Sequence, residues 1–163
     1  MAATPIPGLR SPYDTVGGLF HFGRMLDKIR LHAAGKLPEA WIEAKGVPRG
    51  FDGRCCRFLG VEHAELEART LEGGTDEEIL AWAFAQGRQP SEEEIEVWNG
   101  FMMKLGWRDA VAERVKIRLE ESGFPEGAVL TMFDFIDLDE GRPAAVARHF
   151  LRVGMCEGLD AID

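Results

Sequence analysis

Four side chains that share one face of the stretch GGLFHFGRMLDKIRLH, residues 17–32, can donate hydrogen bonds to negatively charged oxygens: His21, Arg24, Lys28 and His32. On a helix turning about 100° per residue, His21, Lys28 and His32 fall within roughly 40° of one another, and Arg24 flanks them. Guanidinium, ammonium and imidazole groups sharing one face are suited to a carboxylate or phosphate. The glycine pair Gly17-Gly18 just ahead adds backbone N–H groups at an expected helix N-terminus. No Gly-Lys-Ser/Thr follows, so the stretch is not a P-loop. The plainer alternative is a solvated face on which Asp27 pairs with Arg24 or Arg30, and residue types alone favour it.

A second polar group, Asp134, Asp137, Asp139 and Glu140 ahead of Gly141-Arg142, lies near the other end of the chain. A calcium loop needs glycine at its sixth position and glutamate at its twelfth, and neither condition is met counting from Asp137. Asp134 and Asp137 stand one helical turn apart and could share acid–base work. The plainer expectation is that these acids face the basic first helix and hold the two ends of the chain together.

No metal site is expected. His21 and His32 are separated by three helical turns, roughly 16 Å, and no HExxH or CxxC spacing occurs. Cys55 and Cys56 sit between Arg54 and Arg57, where a thiolate would be favoured electrostatically, but an inert buried thiol is the stronger expectation. Three cysteines without a spaced framework read as reduced thiols in a cytosolic protein.

The elements that must position these groups are helices. TDEEILAWAFAQG carries Thr75 as N-cap with Glu78 three residues on, and Gly87 suits a left-handed stop. SEEEIEVWNGFMMKLG repeats the device with Ser91 and Glu94 and stops at Gly106. Leu19, Phe22, Leu26, Ile29 and Ala33 recur at steps of three and four, predicting an amphipathic helix over 18–34 ended by Gly35. FDGRCCRFLG reads as a short helix capped by Asp52 and closed by Gly60. VEHAELEARTLEGG is a further helix, stopped by Gly73 and Gly74. Asp109 to Gly123 forms another, with Val111, Val115 and Leu119 inward. The segment from Thr131 fits helical spacing better than strand alternation, because Phe135 and Ile136 are adjacent; Thr131 caps it and Arg142-Pro143 breaks it. Trp82, Phe84, Trp98 and Trp107 are assigned to the core. The expected fold is all-α, six to eight short helices around one core. A single helical domain is expected over residues 1–142, residues 1–14 being irregular, with 143–163 as a C-terminal extension, helical in part.

Size and charge narrow the function. The chain has 163 residues and a formal net charge of −9, which argues against nucleic acid or an anionic membrane as partner. The charge is uneven: residues 1–57 are net +4, residues 58–100 net −9 and residues 101–163 net −4. Helices 76–86 and 92–105 superficially suggest a helix-turn-helix, but the would-be recognition helix opens with SEEE, carboxylates that phosphates would repel. No signal peptide or apolar run of about 20 residues is present, so a soluble, cytoplasmic protein is expected.

RSPYDTVGGLFHFGRMLDKIRLHAAGKLPE, FLGV, TDEEILAW and FIDLDEGR together resemble a bacterial family catalogued as domain of unknown function 5069, over roughly residues 10–142. The most recognisable stretches are Arg24, Asp27, Lys28 and Arg30, and Asp137 to Arg142. The resemblance implies a small, stand-alone, bacterial cytosolic protein and transfers no catalytic residue.

No named reaction follows from these residues. The leading expectation is a binding protein in which Arg24 and Lys28 engage the oxyanion of a small anionic or zwitterionic ligand. Asp27 stands beside them, His32 titrates, and Asp137 with Arg142 forms the opposing wall of a polar cleft. One alternative is an enzyme using His32 or Asp137 as acid or base. The other is a helical adaptor that binds another protein, or itself as a homo-oligomer, through an exposed apolar patch. No cofactor is implied.

Overall fold

The computed structural model of the chain describes residues 5–142. Its contacts cluster into two compact units, one formed by residues 6–101 and the other by Pro5 with residues 102–142.

The first unit opens with a hairpin. Strand β1 (Thr15–Val16) pairs antiparallel with β2 (Leu19–Phe20), Val16 opposite Leu19. Gly17 and Gly18 form the two-residue turn at φ 56° and 78°, the geometry that requires positive φ at both positions. Five helices follow within this unit: α1 (Phe22–Ala33), α2 (Glu39–Ala44), α3 (Phe51–Leu59), α4 (His63–Leu71) and α5 (Asp76–Gln86). Helix α6 (Glu92–Lys104) runs from this unit into the second, which holds α7 (Ala112–Glu121) and α8 (Met132–Asp139). The described residues are thus predominantly helical, as the periodicity predicts, with eight helices and one two-stranded sheet.

The first helix is shorter than expected. Leu19 continues the apolar stripe of α1 in sequence but lies in the hairpin, so the helix starts at Phe22 and the glycine pair does not abut it. The capping boxes form as read. Thr75 Oγ1 accepts from the Glu78 N–H while Glu78 Oε2 accepts from the Thr75 N–H. Ser91 and Glu94 repeat the exchange ahead of α6, and Thr131 Oγ1 accepts from the Asp134 N–H ahead of α8. Gly87 ends α5 but is not left-handed, at φ −105° and ψ −102°. Its requirement is space, since a Cβ there would lie 2.0 Å from the Leu59 carbonyl oxygen. Helix α7 starts later than read because the Asp109 carboxylate accepts from the Gly106 and Val111 N–H groups, folding residues 106–111 into a turn.

Phe20, Phe22, Leu26, Ile29, Leu59, Leu66 and Ile79 form the buried interior of the first unit. Each side chain removed from water contributes about 1.5–3 kcal/mol. In the second unit Val115, Leu119 and Phe135 are buried together, with Phe124, Val129, Met132, Ile136 and Leu138 packed around them. Of the aromatics assigned to the core, Trp98 is buried and Trp82 and Phe84 are half-buried, but Trp107 stands 48 % exposed.

Candidate functional site

Helix α1 does not turn its charged face to water. Arg24, Asp27 and Lys28 are only 4–7 % exposed, so the solvated-face alternative is overturned. The charges are held at three places.

The deepest is centred on Asp52. Lys28 Nζ donates to both carboxylate oxygens, at 2.5 and 2.7 Å; His21 Nε2 lies 2.7 Å from Oδ1; and the Gly46 N–H donates to Oδ2 at 2.9 Å. Asp52 does not cap α3, a position taken by Gly50; it stands one residue inside the helix and is fully buried. Burial alone would raise its pKa. The adjacent Lys28 ammonium and the hydrogen bonds from His21 and Lys28 outweigh that, leaving the carboxyl well below the usual carboxylate range. Burial dominates at His21 and lowers its pKa from 6.5 to about 4, against the opposing pull of Asp52. At neutral pH the cluster is therefore a lysine cation, a carboxylate and a neutral imidazole.

His21 also occupies an uncommon backbone conformation, φ 70° and ψ −25°, immediately before α1. For a residue with a Cβ this left-handed geometry costs about 1–2 kcal/mol, and such strain concentrates where the surrounding structure, often at a functional site, over-determines it. Gly46, at φ 71°, completes the cluster from the loop after α2: a Cβ there would lie 2.8 Å from His63 Nδ1, so only glycine lets the backbone reach Asp52 past that ring.

The second place is a chain of alternating charges. Arg10 grips Asp27 with two bonds of 2.8 Å from Nε and Nη2 and reaches Asp76 from Nη1 at 2.7 Å; Arg30 donates to the other oxygen of Asp76 at 2.7 Å. Asp27 thus pairs with Arg10 and not with Arg24 or Arg30. Gly23 makes room, since a Cβ there would lie 2.8 Å from the Arg10 guanidinium carbon. Burial raises the Asp76 pKa, but the hydrogen bonds from Arg30 and Arg10 outweigh it and the net shift is downward. Arg24 Nη1 donates to the Arg10 carbonyl at 2.7 Å. His32 lies at the half-buried C-terminal end of α1.

The third place is in the second unit. Asp137 and Glu140 are buried on and just after α8, and both accept from Arg142 Nη1, Asp137 at 3.2 Å. Of the predicted site residues, then, Lys28 is brought to Asp52 and His21, Asp27 to Arg10, and Asp137 to Arg142.

Asp52 and Arg10, like Asp76 and Gly46, are residues that the sequence reading left out of the site. Asp52 carried a usable signal: Asp52, Cys55, Cys56 and Leu59 follow helical spacing and are all buried, so the aspartate lies on the inward stripe. Arg10 carried none, being in a segment read as irregular. Cys55 and Cys56 are not thiolates. Burial raises Cys55 well above the ordinary thiol range and Cys56 to about 12, and Cys56 Sγ packs 3.9 Å from Met25 Sδ. Among the described residues no three His, Cys, Asp or Glu side chains gather as metal ligands, and no helix is long and apolar enough to cross a membrane.

No curated protein matches the chain. The family pattern described as Domain of unknown function (DUF5069) matches residues 6–142, a span that takes in all three ionic groups and every described helix. The chain belongs to that family.

Proposed function

We propose that this is a binding protein for a small anionic or zwitterionic molecule, recognised at the charged face of α1 through Arg24 and Lys28, with Asp27 as the acidic partner and His32 as a further hydrogen-bond donor. The observation that carries the reading is the burial of that face. Taking Arg24, Asp27 and Lys28 out of water is less stabilising than apolar side chains of similar volume would be, and buried ionisable groups with strained neighbours concentrate at functional sites. The strained His21 and its Asp52–Lys28 partners support the same location. In this reading the ligand's oxyanion competes with the Arg10 carbonyl for Arg24 and with Asp52 for Lys28, the two cations of one helical face.

Thermal unfolding in the presence of inorganic phosphate, phosphorylated metabolites and dicarboxylates tests it. A ligand at about 100 times its Kd adds about 2.7 kcal/mol to the folded state, a rise of several degrees in Tm. Arg24→Ala abolishes that rise. If no anion stabilises the wild-type protein beyond chloride at matched ionic strength, the reading is wrong.

A further inference from the structure

One face of the first unit exposes two large apolar side chains of α6. On α6, Glu93, Val97 and Phe101 follow one another at four-residue steps, so they run along one side of the helix with a drift of about 40° per step. Val97 is 68 % and Phe101 46 % exposed. Below them Trp98 is stacked on Phe58, ring centroids 4.5 Å apart and planes 9° from parallel, and Phe58 is covered by the Arg88 guanidinium at 4.9 Å. The Arg54 guanidinium lies 5.8 Å from the Phe101 ring centre. Gly100 adds a recess, since a Cβ there would meet nothing within 4 Å.

We propose that this face binds a second copy of the same chain, α6 packing antiparallel on α6 about a two-fold axis at Val97. The charge layout selects that partner. A two-fold at Val97 places residue 101 of one copy opposite residue 93 of the other, so Phe101 with Arg54 over it meets the Glu93 carboxylate, and the symmetry makes this contact twice. Val97 meets its own equivalent at the centre. The result is an apolar centre of two valines and two phenylalanines, flanked on each side by a carboxylate–guanidinium pair, which is the anatomy of an isologous interface. Parallel packing would set Glu93 against Glu93 and loses this pairing to like-charge repulsion. This proposal is independent of anion binding at α1.

Sedimentation velocity over a concentration series from micromolar to near-millimolar tests it, with circular dichroism and Tm confirming that each variant is folded. The wild type moves from monomer to twice the monomer mass. Val97→Glu sets two carboxylates on the axis and stays monomeric throughout. Arg54→Glu and Glu93→Arg each weaken association by about tenfold or more, and the double variant recovers to within about threefold of wild type. A wild type that remains monomeric overturns the proposal. So does a Val97→Glu variant that associates as the wild type does, or a double variant that fails to recover, since either places any interface elsewhere.

Discussion

Replacing Asp52 by asparagine removes one negative charge from the first unit and changes little else in volume. Three donors now converge on that carboxylate: Lys28 Nζ, His21 Nε2 and the Gly46 N–H. An asparagine offers them one oxygen and turns an NH2 group toward the rest. Lys28 loses its counter-charge while its side chain remains only 7 % exposed, so water cannot replace the lost partner. Breaking one member of a buried pair costs about 3–5 kcal/mol, a large share of the 5–15 kcal/mol or so by which a domain is usually stable. Urea unfolding at pH 7 should show the midpoint falling at unchanged slope, and Tm should drop by about 6–20 °C at about 2–4 °C per kcal/mol for a chain of this size. Lys28→Met alone should also be harmful because it removes the counter-charge of Asp52 and leaves that carboxylate to the His21 and Gly46 donors. Lys28→Met combined with Asp52→Leu should recover only part of the loss, because His21 Nε2 and the Gly46 N–H both lose Asp52 as acceptor, the coupling being read from the double-mutant cycle. If Asp52→Asn costs less than about 1 kcal/mol, the value of a solvent-exposed pair, the cluster is hydrated and the reasoning fails.

Three further outcomes follow from the same geometry. Between the ordinary histidine pKa of 6.5 and the value of about 4 at His21, the unfolded chain binds a proton that the folded chain refuses. Stability therefore falls as pH drops through that window, by up to about 3 kcal/mol from His21, with His63 adding in the same direction because burial lowers it too. His21→Asn, which tolerates the left-handed backbone, should flatten this acid limb in a series of urea melts; an unaltered limb counts against His21 as its source. In a Cys156→Ser background, neither Cys55 nor Cys56 should react with a thiol-specific disulfide reagent at pH 8 until the protein unfolds, and rapid labelling of the native state would refute their burial. Gly87→Ala should cost more than about 2 kcal/mol in chemical unfolding, because its Cβ meets backbone at 2.0 Å and not the movable end of a side chain; a neutral result would mean that the α3–α5 junction relaxes freely.

The sequence was most legible where structure is decided locally. Thr75 with Glu78, Ser91 with Glu94, and Thr131 each satisfy orphan N–H groups within one turn, so the starts of α5, α6 and α8 could be read from spacing alone. The β-hairpin was hidden because Leu19 falls on the same 3.6-residue stripe as Phe22, Leu26 and Ile29, and a two-residue strand offers no alternation to oppose it. Spacing identified the shared polar face of α1 but not its burial, for that depends on acids distant in sequence: Asp52 lies 24 residues from Lys28, and Asp27 17 residues from Arg10. Charge type gave no way to choose among the acids, and Asp27 was assigned to its helical neighbours when the partner was the arginine of an irregular segment. Trp107 was placed in the core on residue type, but the turn around Asp109 leaves it 48 % exposed.

Asn99 ties the start of the chain to its middle. Its side-chain amide donates to the Gly18 carbonyl at 2.7 Å and accepts from the Phe20 N–H at 3.0 Å, spanning 81 and 79 residues of sequence. A hairpin of two-residue strands has too few bonds to persist by itself, so the turn that leads into His21 leans on this bridge from α6 as well as on the Pro12 carbonyl, which accepts from the His21 N–H. A chain cut short of residue 99 would keep the sequence of the first helix while losing the brace that seats it.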